Sequence, residues 1–385
     1  MGEKEAAPRP ANQRPIVAML LFNNSTIGGA ERRYAWVYQE LRRRHVPIVL
    51  AINESLLVKL QRIGVLPQHE APEFLLKEPM GKRLFALRKL DYLLGLCSLS
   101  KWIRRRRPHV LHVVLGGAYL ALPLQLIGAA PPAVLSVVCP SLSELVGSSA
   151  GLLFYRLALR LASRVDTLTD SVRRMVAHEG VPPSRIQVSP GSCVDTSRFH
   201  PAEKQPWVVF AGRLIPEKDP LTYVRACALA CERLNGRLPG LRIFLLGDGP
   251  LLGEVKTLIG QLRLEPWIQT GWTEHVESIL SQAMVFVSLQ RTDNYPSQAL
   301  LEAMASGAAI IATDVGLTST LVDATVGRLV QADPPQVAQA IVEMLEDPVG
   351  TSAKGQQARE RVVRDHSLDR YLAYIQHLYR QTAST

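Results

Sequence analysis

The 385-residue sequence contains no Asp-x-Asp, no Cys-x-x-Cys and no Gly-x-Gly-x-x-Gly. The first absence leaves no evident carboxylate pair to clamp a metal onto a phosphate group, so neither a cofactor nor a metal is expected. Cysteine is scarce and odd in number, at positions 97, 139, 193, 227 and 231. That argues against a disulfide framework or a zinc site and fits a reducing cytosol. Cys227 and Cys231, four apart on an expected helix, read as core packing. Residues 1–14 carry no apolar run of the kind a signal peptide needs and read as a flexible polar segment. The longest apolar stretch, 110–128, is interrupted by His112, Gly116-Gly117, Pro123 and Gln125. It reads as a strand followed by a buried helix, not as a membrane span. Aromatic residues are 6% of the chain and do not interleave with its basic runs. This disfavours single-stranded nucleic acid as a partner.

What remains is the composition of a globular chain, 47% hydrophobic and 20% charged, and long enough for two domains. The net charge of +10 is uneven. Residues 1–200 hold 27 Lys and Arg against 14 Asp and Glu, a balance of +13; residues 201–385 hold 17 against 20, a balance of −3. The first half is therefore expected to face something anionic. Its most basic segment is 82–107, an expected helix mixing leucines with Lys82, Arg83, Arg88 and Lys89 and ending in Arg104-Arg105-Arg106-Arg107 before Pro108. Such a helix can lie on an anionic membrane surface.

Continuous apolar runs at 16–22, 48–52, 110–115, 133–138 and 165–169 read as strands buried on both faces, with helices between them. The turn after the first carries Gly28-Gly29, where glycine lets backbone approach a ligand. A turn-rich segment follows 188, and the linker is placed at 196–206. The pattern restarts at 207–211 with the turn Gly212-Arg213-Leu214-Ile215-Pro216-Glu217-Lys218, and continues through 241–246 and Gly247-Asp248-Gly249-Pro250. Two α/β domains, each built on a doubly wound parallel sheet, are expected: 15–195, and 207–366 followed by a last helix in 367–385.

The segment 293–307, Asp-Asn-Tyr-Pro-Ser-Gln-Ala-Leu-Leu-Glu-Ala-Met-Ala-Ser-Gly, organises the second domain. An apolar run precedes it at 284–289 and another follows at 308–312, so it is the loop and helix of a βαβ unit. Asp293 falls in the loop at the strand's carboxyl end, where ligands bind in open parallel sheets. Ser297, Gln298 and Ala299 open the helix, whose free N–H groups suit a phosphate. Glu302 stands a turn further in.

These segments, with Leu301-Glu302-Ala303-Met304-Ala305-Ser306-Gly307, resemble the family 4 glycosyltransferases, retaining enzymes of the GT-B fold. In the first half, Gly28-Gly29-Ala30-Glu31 and Pro108-His109-Val110-Leu111-His112 are similar to the family's glycine loop and its Pro-Asp-x-x-His stretch. The resemblance implies two Rossmann-like domains facing each other across a cleft, the first for acceptor and the second for donor, with the last helix returning to the first. It implies that Arg213 and Lys218 hold the donor's diphosphate and that Gly28, Gly29 and Gly212 approach the donor. Glu302 would bind the ribose hydroxyls, and Asp293 and His112 would lie by the transferred sugar. The donor is expected to be a nucleotide sugar, UDP- before GDP-, and the acceptor a glycan or a lipid-linked saccharide. A nucleotide-sugar epimerase and a non-catalytic nucleotide-sugar binding protein are the alternatives. Two local departures stand out. Eight residues, not seven, separate Asp293 from Glu302, and Pro190-Gly191-Ser192-Cys193-Val194-Asp195 is one residue longer than the family's usual turn.

Overall fold

The computed structural model describes residues 16–23, 29–69, 71–77, 85–138, 149–293 and 295–385. The chain forms two compact units, one ending at Ser189 and joined by Leu372–Thr385, the other Pro190–Tyr371. The first contains β1 (Val17–Phe22), α1 (Gly29–Arg43), β2 (Ile48–Asn53), α2 (Glu54–Arg62), β3 (Phe74–Leu76), α3 (Phe85–Arg106) and β4 (Val110–Leu115). It continues with α4 (Ala118–Leu126), β5 (Ala133–Val137), α5 (Ser149–Leu161), β6 (Arg164–Thr167), α6 (Asp170–His178) and β7 (Ile186–Val188). The second contains β8 (Gln205–Ala211), α7 (Pro220–Leu234), β9 (Arg242–Leu246), α8 (Leu252–Gln261), β10 (Ile268–Gly271), α9 (Val276–Gln282) and β11 (Ala283–Ser288). It ends with α10 (Gln298–Ala305), β12 (Ala309–Thr313), β13 (Gly327–Val330), α11 (Pro334–Glu346) and α12 (Pro348–Asp365); α13 (Leu368–Ala383) begins there and passes to the first unit at Leu372.

Both sheets are parallel. The first has the order β3-β2-β1-β4-β5-β6-β7 and the second β10-β9-β8-β11-β12-β13. In each, the order reverses beside the unit's first strand, so the switch points lie between β1 and β4 and between β8 and β11. The central strands are largely apolar because helices cover both faces; every residue of β1 and of β11 is buried. Helix starts are specified locally. Asp219 caps α7 with its carboxylate on the Thr222 N–H at 3.4 Å, and Pro220 fills the first helical position.

Two elements escaped the sequence reading. One is α2, directly after β2. The other is the three-residue edge strand β3, paired with β2 from Ala51–Phe74 to Asn53–Leu76; three residues are too few to show a period. The position of the division also differs from the expected linker. Residues 196–206 pack with the second unit, because Val194 bridges to Ser367 and the Phe199 side chain is buried in that unit's core.

Candidate donor site

At the second sheet's switch point, the loops after β8, β9 and β11 are stitched into one cradle. The Gly212 N–H donates to Leu246 O at 2.9 Å, Leu214 N–H to Asp248 O at 2.9 Å, and Leu251 N–H to Leu214 O at 3.1 Å. Backbones approach so closely that a Cβ on Gly247 would collide with the Gly212 carbonyl, which fixes glycine there. The β8 loop then closes into a short 3-10 turn, Pro216–Lys218, which ends at Asp219 in a left-handed conformation, φ 46°. Arg291, at the start of the β11 loop, ties the two sides together. Its N–H donates to Glu217 O at 2.9 Å and its guanidinium pairs with the Asp219 carboxylate at 3.0 Å. A cationic turn and the loop carrying Asp293 are thereby joined at the place where a ligand of an open sheet belongs.

Arg213 is exposed, while Lys218 is half-buried. Burial, with the neighbouring Arg213 charge, lowers the Lys218 pKa to about 8. Two cations held this close, one short of solvation, favour an anion between them. Asp293 is exposed, and its Oδ1 accepts from Tyr295 N–H at 3.1 Å and Leu317 N–H at 3.5 Å. A Cβ on Gly316 would collide with its carboxyl group, so Gly316 is what leaves room for this orientation.

The anchor helix α10 starts at Ser297 with no side-chain cap, leaving the N–H groups of its first turn, at Gln298 and Ala299, for a ligand. One turn in, Glu302 is largely desolvated. Burial pushes its pKa up to about 7, and Glu277 adds to this against the hydrogen bond from Gln298 and the charge of Arg198. The Gln298 amide donates to Glu302 Oε1 and to Cys193 O, each at 3.2 Å. The 190–195 turn is thus fastened to the helix that carries the acid. The opposite end of α10 is closed by cations that sequence reasoning missed. Lys204 Nζ donates to Ser306 O at 2.7 Å and Ser281 O at 2.9 Å, and the Arg359 guanidinium reaches Ala305 O and Phe199 O. Cations suit a helix carboxyl end, but Lys204 and Arg359 lie 102 and 54 residues from the carbonyls they meet, and no local pattern announces them.

Among the expected site residues, Gly212, Arg213, Lys218, Asp293, Ser297, Gln298, Ala299 and Glu302 all belong to this one unit. Gly28 lies outside the described residues, as does Asn294; Gly29 is the first residue of α1.

His112 is placed otherwise than the resemblance implies. It sits in the middle of β4, paired across to Met19 and Val134, and is wholly buried. Both ring nitrogens are engaged, Nδ1 with the Tyr379 hydroxyl at 2.7 Å and Nε2 with Ser136 Oγ at 2.9 Å. Ser136 donates onward to Asp166 at 2.8 Å, and Tyr374 donates to the other oxygen of Asp166 at 2.7 Å. The histidine is therefore part of a buried polar chain that fastens α13 to the first sheet, with no ring nitrogen left for a sugar. Burial, reinforced by the Arg33 charge, lowers its pKa to about 3.

The protonation consequence can be measured. Native His112 stays neutral, whereas in the unfolded chain it titrates near the ordinary value of roughly 6.5. Between about pH 6.5 and 3 the unfolded state therefore binds a proton that the native state refuses, and stability falls as pH drops. Asp166 works in the opposite sense, since burial raises its pKa and the native state holds that proton longer. His112→Gln leaves Asp166 in place. In urea unfolding at stepped pH, the wild-type curve should fall more steeply than the variant's below pH 6.5, by up to about 1.4 kcal/mol per pH unit. Parallel curves would mean that His112 is charged in the fold.

Two α/β units, each built on a parallel sheet, are those of the GT-B fold. Residues 205–347, just over a third of the chain, match the family described as glycosyl transferases group 1. The chain is 31% identical over 217 residues to the putative colanic acid biosynthesis glycosyltransferase WcaL of Salmonella typhimurium, covering 51% of this chain and 52% of that protein. It is 25% identical over 265 residues to the alpha-maltose-1-phosphate synthase of Mycolicibacterium smegmatis, covering 60% and 66%. In both cases the match spans less than two thirds of the relative's length. Anabaena HepE, solved in complex with UDP, shares the fold with a TM-score of 0.73 at 17% identity, covering 96% of this chain and 99% of that one.

Proposed function

We propose that this protein is a retaining glycosyltransferase that moves a hexosyl group from a nucleoside-diphosphate sugar, UDP- in preference to GDP-, to a glycan or lipid-linked acceptor in cell-surface polysaccharide or glycolipid synthesis. The observation that carries the reading is the joined cationic turn and acidic loop at the switch point of the second sheet. In this reading Arg213 and Lys218 take the diphosphate, and with it the charge that develops on the leaving group as the glycosidic bond breaks, in place of a metal. The α10 N–H groups at Gln298 and Ala299, together with Ser297 and the Gly212 backbone, complete the anion site. Glu302 accepts from the two ribose hydroxyls, a geometry one carboxylate can satisfy. Asp293 orients the transferred sugar, while His112 acts only by holding α13 in place. The UDP preference is supported by the UDP and UDP-glucose complexes of HepE, and the polysaccharide role by the name of the Salmonella relative.

A thermal-shift screen of nucleotide sugars and their nucleotides tests this. A ligand at a hundred times its dissociation constant adds about 2.7 kcal/mol to stability. UDP and one or more UDP-sugars should raise the melting temperature, with EDTA making no difference to binding or transfer. No shift with any of them would sink the reading, and loss of activity in EDTA would sink its metal-free part.

UDP affinity should also peak in a narrow pH window. Lys218 has a pKa of about 8 in the free protein and a diphosphate raises it, so above pH 8 binding must take up a proton and weakens as pH rises. Glu302, at about 7, must be ionised to accept both hydroxyls, so binding also weakens below pH 7. Each limb approaches a tenfold loss per pH unit. Calorimetric titration across pH 5.5–9.5 should show the peak, and Glu302→Gln should remove the acid limb alone. An acid limb that survives in the variant would assign it to another group.

A further inference from the structure

On a helix packed against a sheet, the apolar stripe faces inward and the polar residues face water. The layer formed by α3, α4 and α5 departs from this on its outer side. Within α5, Tyr155, Ala158, Leu159 and the following Ala162 are buried against the sheet as expected. Yet Leu153, Leu157 and Leu161, at four-residue spacing, form a second row that is exposed, 69% at Leu153. Leu126 and Ile127 at the end of α4 are 57% and 71% exposed, and Leu93 and Leu94 on α3 are 56% and 57% exposed. The three helices are neighbours. Tyr92 of α3 donates to Tyr119 O of α4 at 2.6 Å, and Tyr119 stacks on Phe154 of α5 with ring centroids 5.3 Å apart. Large aliphatics left exposed on three neighbouring helices mark a surface with a partner.

Charge says which partner. Residues 85–164 hold ten Lys and Arg but only two Asp and Glu. Arg156 and Arg160 are occupied by Glu179, as an ion pair at 2.6 Å and a bond to its carbonyl at 2.9 Å. The charge left toward solvent is on α3, at the exposed Lys101, Arg104, Arg105 and Arg106. A second copy would bring like charge against like charge. An anionic bilayer supplies both an apolar interior for the leucines and headgroups for the arginines. Among the described residues no helix is long and apolar enough to cross a membrane. We propose that the outer face of the α3–α4–α5 layer is a monotopic docking surface for an anionic lipid bilayer, with the α4 and α5 aliphatics inserted and the arginines of α3 on the headgroups. This does not depend on the donor reading.

Flotation of the full chain, without nucleotide, tests it with vesicles of phosphatidylcholine alone and of phosphatidylcholine with one third phosphatidylglycerol. Wild type should float with the anionic vesicles and remain behind with the neutral ones. Arg104→Gln/Arg105→Gln/Arg106→Gln should lower recovery and its salt dependence together. Leu153→Ser/Leu157→Ser should lower partitioning by on the order of tenfold or more while the melting temperature stays at the wild-type value. Ile127→Ser, at a helix end, is a second variant expected to act in the same direction should the pair disturb folding. Unchanged flotation of the leucine and isoleucine variants would overturn the proposal in favour of purely electrostatic adsorption. Equal recovery with neutral vesicles would overturn the charge argument. Light scattering is the remaining check: a wild-type dimer that the leucine pair converts to monomer would assign the face to a second copy instead.

Discussion

Replacing Arg213 with alanine should lower turnover with a UDP-sugar by on the order of a hundredfold or more, and replacing Lys218 should do the same, the usual cost of losing one group aimed at developing transition-state charge. The two positions differ in what they contribute to the empty protein, and this separates a catalytic loss from a folding defect. Arg213 is exposed, so its removal should leave the melting temperature unchanged. Lys218 is held at a pKa of about 8 by burial and by Arg213. Its charge is therefore a cost to the unliganded fold, and Lys218→Met should leave the melting temperature equal or higher while abolishing the upward shift caused by UDP. Release of UDP from the donor and the thermal shift, read on the same preparations, decide the matter. A variant that loses activity and melting temperature together would make the residue structural. One that loses neither would move the diphosphate elsewhere. In the proposed site the two cations share one anion, so the double variant should fall well short of the product of the single losses.

Much of this site was legible because its parts are local in sequence. The strand, loop and helix around 293–307 announce themselves by a change of period, and the strand's carboxyl end fixes where Asp293 must lie. Arg213 and Lys218 follow β8 within a few residues, and their placement follows from the same rule. The legible parts end where contacts become distant. His112 reads in sequence as a polar residue in an apolar strand, a pattern equally suited to an active site and to a buried hydrogen-bonded pair. What decides between them is Tyr379, 267 residues away, with Ser136 and Asp166, and no period or spacing connects those positions. Lys204 and Arg359 at the carboxyl end of α10 are hidden for the same reason. The outer row of α5 was hidden differently. Its three leucines are as apolar as the buried row beside them, and only the packing shows which row the sheet covers.

The product of transfer should carry the same anomeric configuration as the donor, with no covalent sugar on the protein. Retention ordinarily invites two displacements through a carboxylate on the face opposite the leaving group, and Asp293 is the acid that the proposed reading puts beside the sugar. Its surroundings suit a different role. Oδ1 already accepts from Tyr295 and Leu317 N–H groups. Gly316 lies so close that any side chain there would strike the carboxyl group, which fixes one orientation. A carboxylate held this way is suited to receiving sugar hydroxyls. In a front-face attack the leaving phosphate takes the acceptor's proton while Arg213 and Lys218 hold its growing charge, and no side chain need be a nucleophile. Asp293→Ala should then retain measurable transfer with the anomer unchanged, and so should His112→Ala to the extent that it folds, while Arg213 and Lys218 substitutions are more damaging. Gly316→Ala should reduce transfer with little change in UDP affinity, since it disturbs the sugar's acid and not the diphosphate site. Proton NMR of the product and intact mass of enzyme incubated with donor give the answer. A glycosyl adduct on Asp293 would overturn the front-face scheme and leave the retaining reading standing, whereas an inverted anomer would contradict that reading.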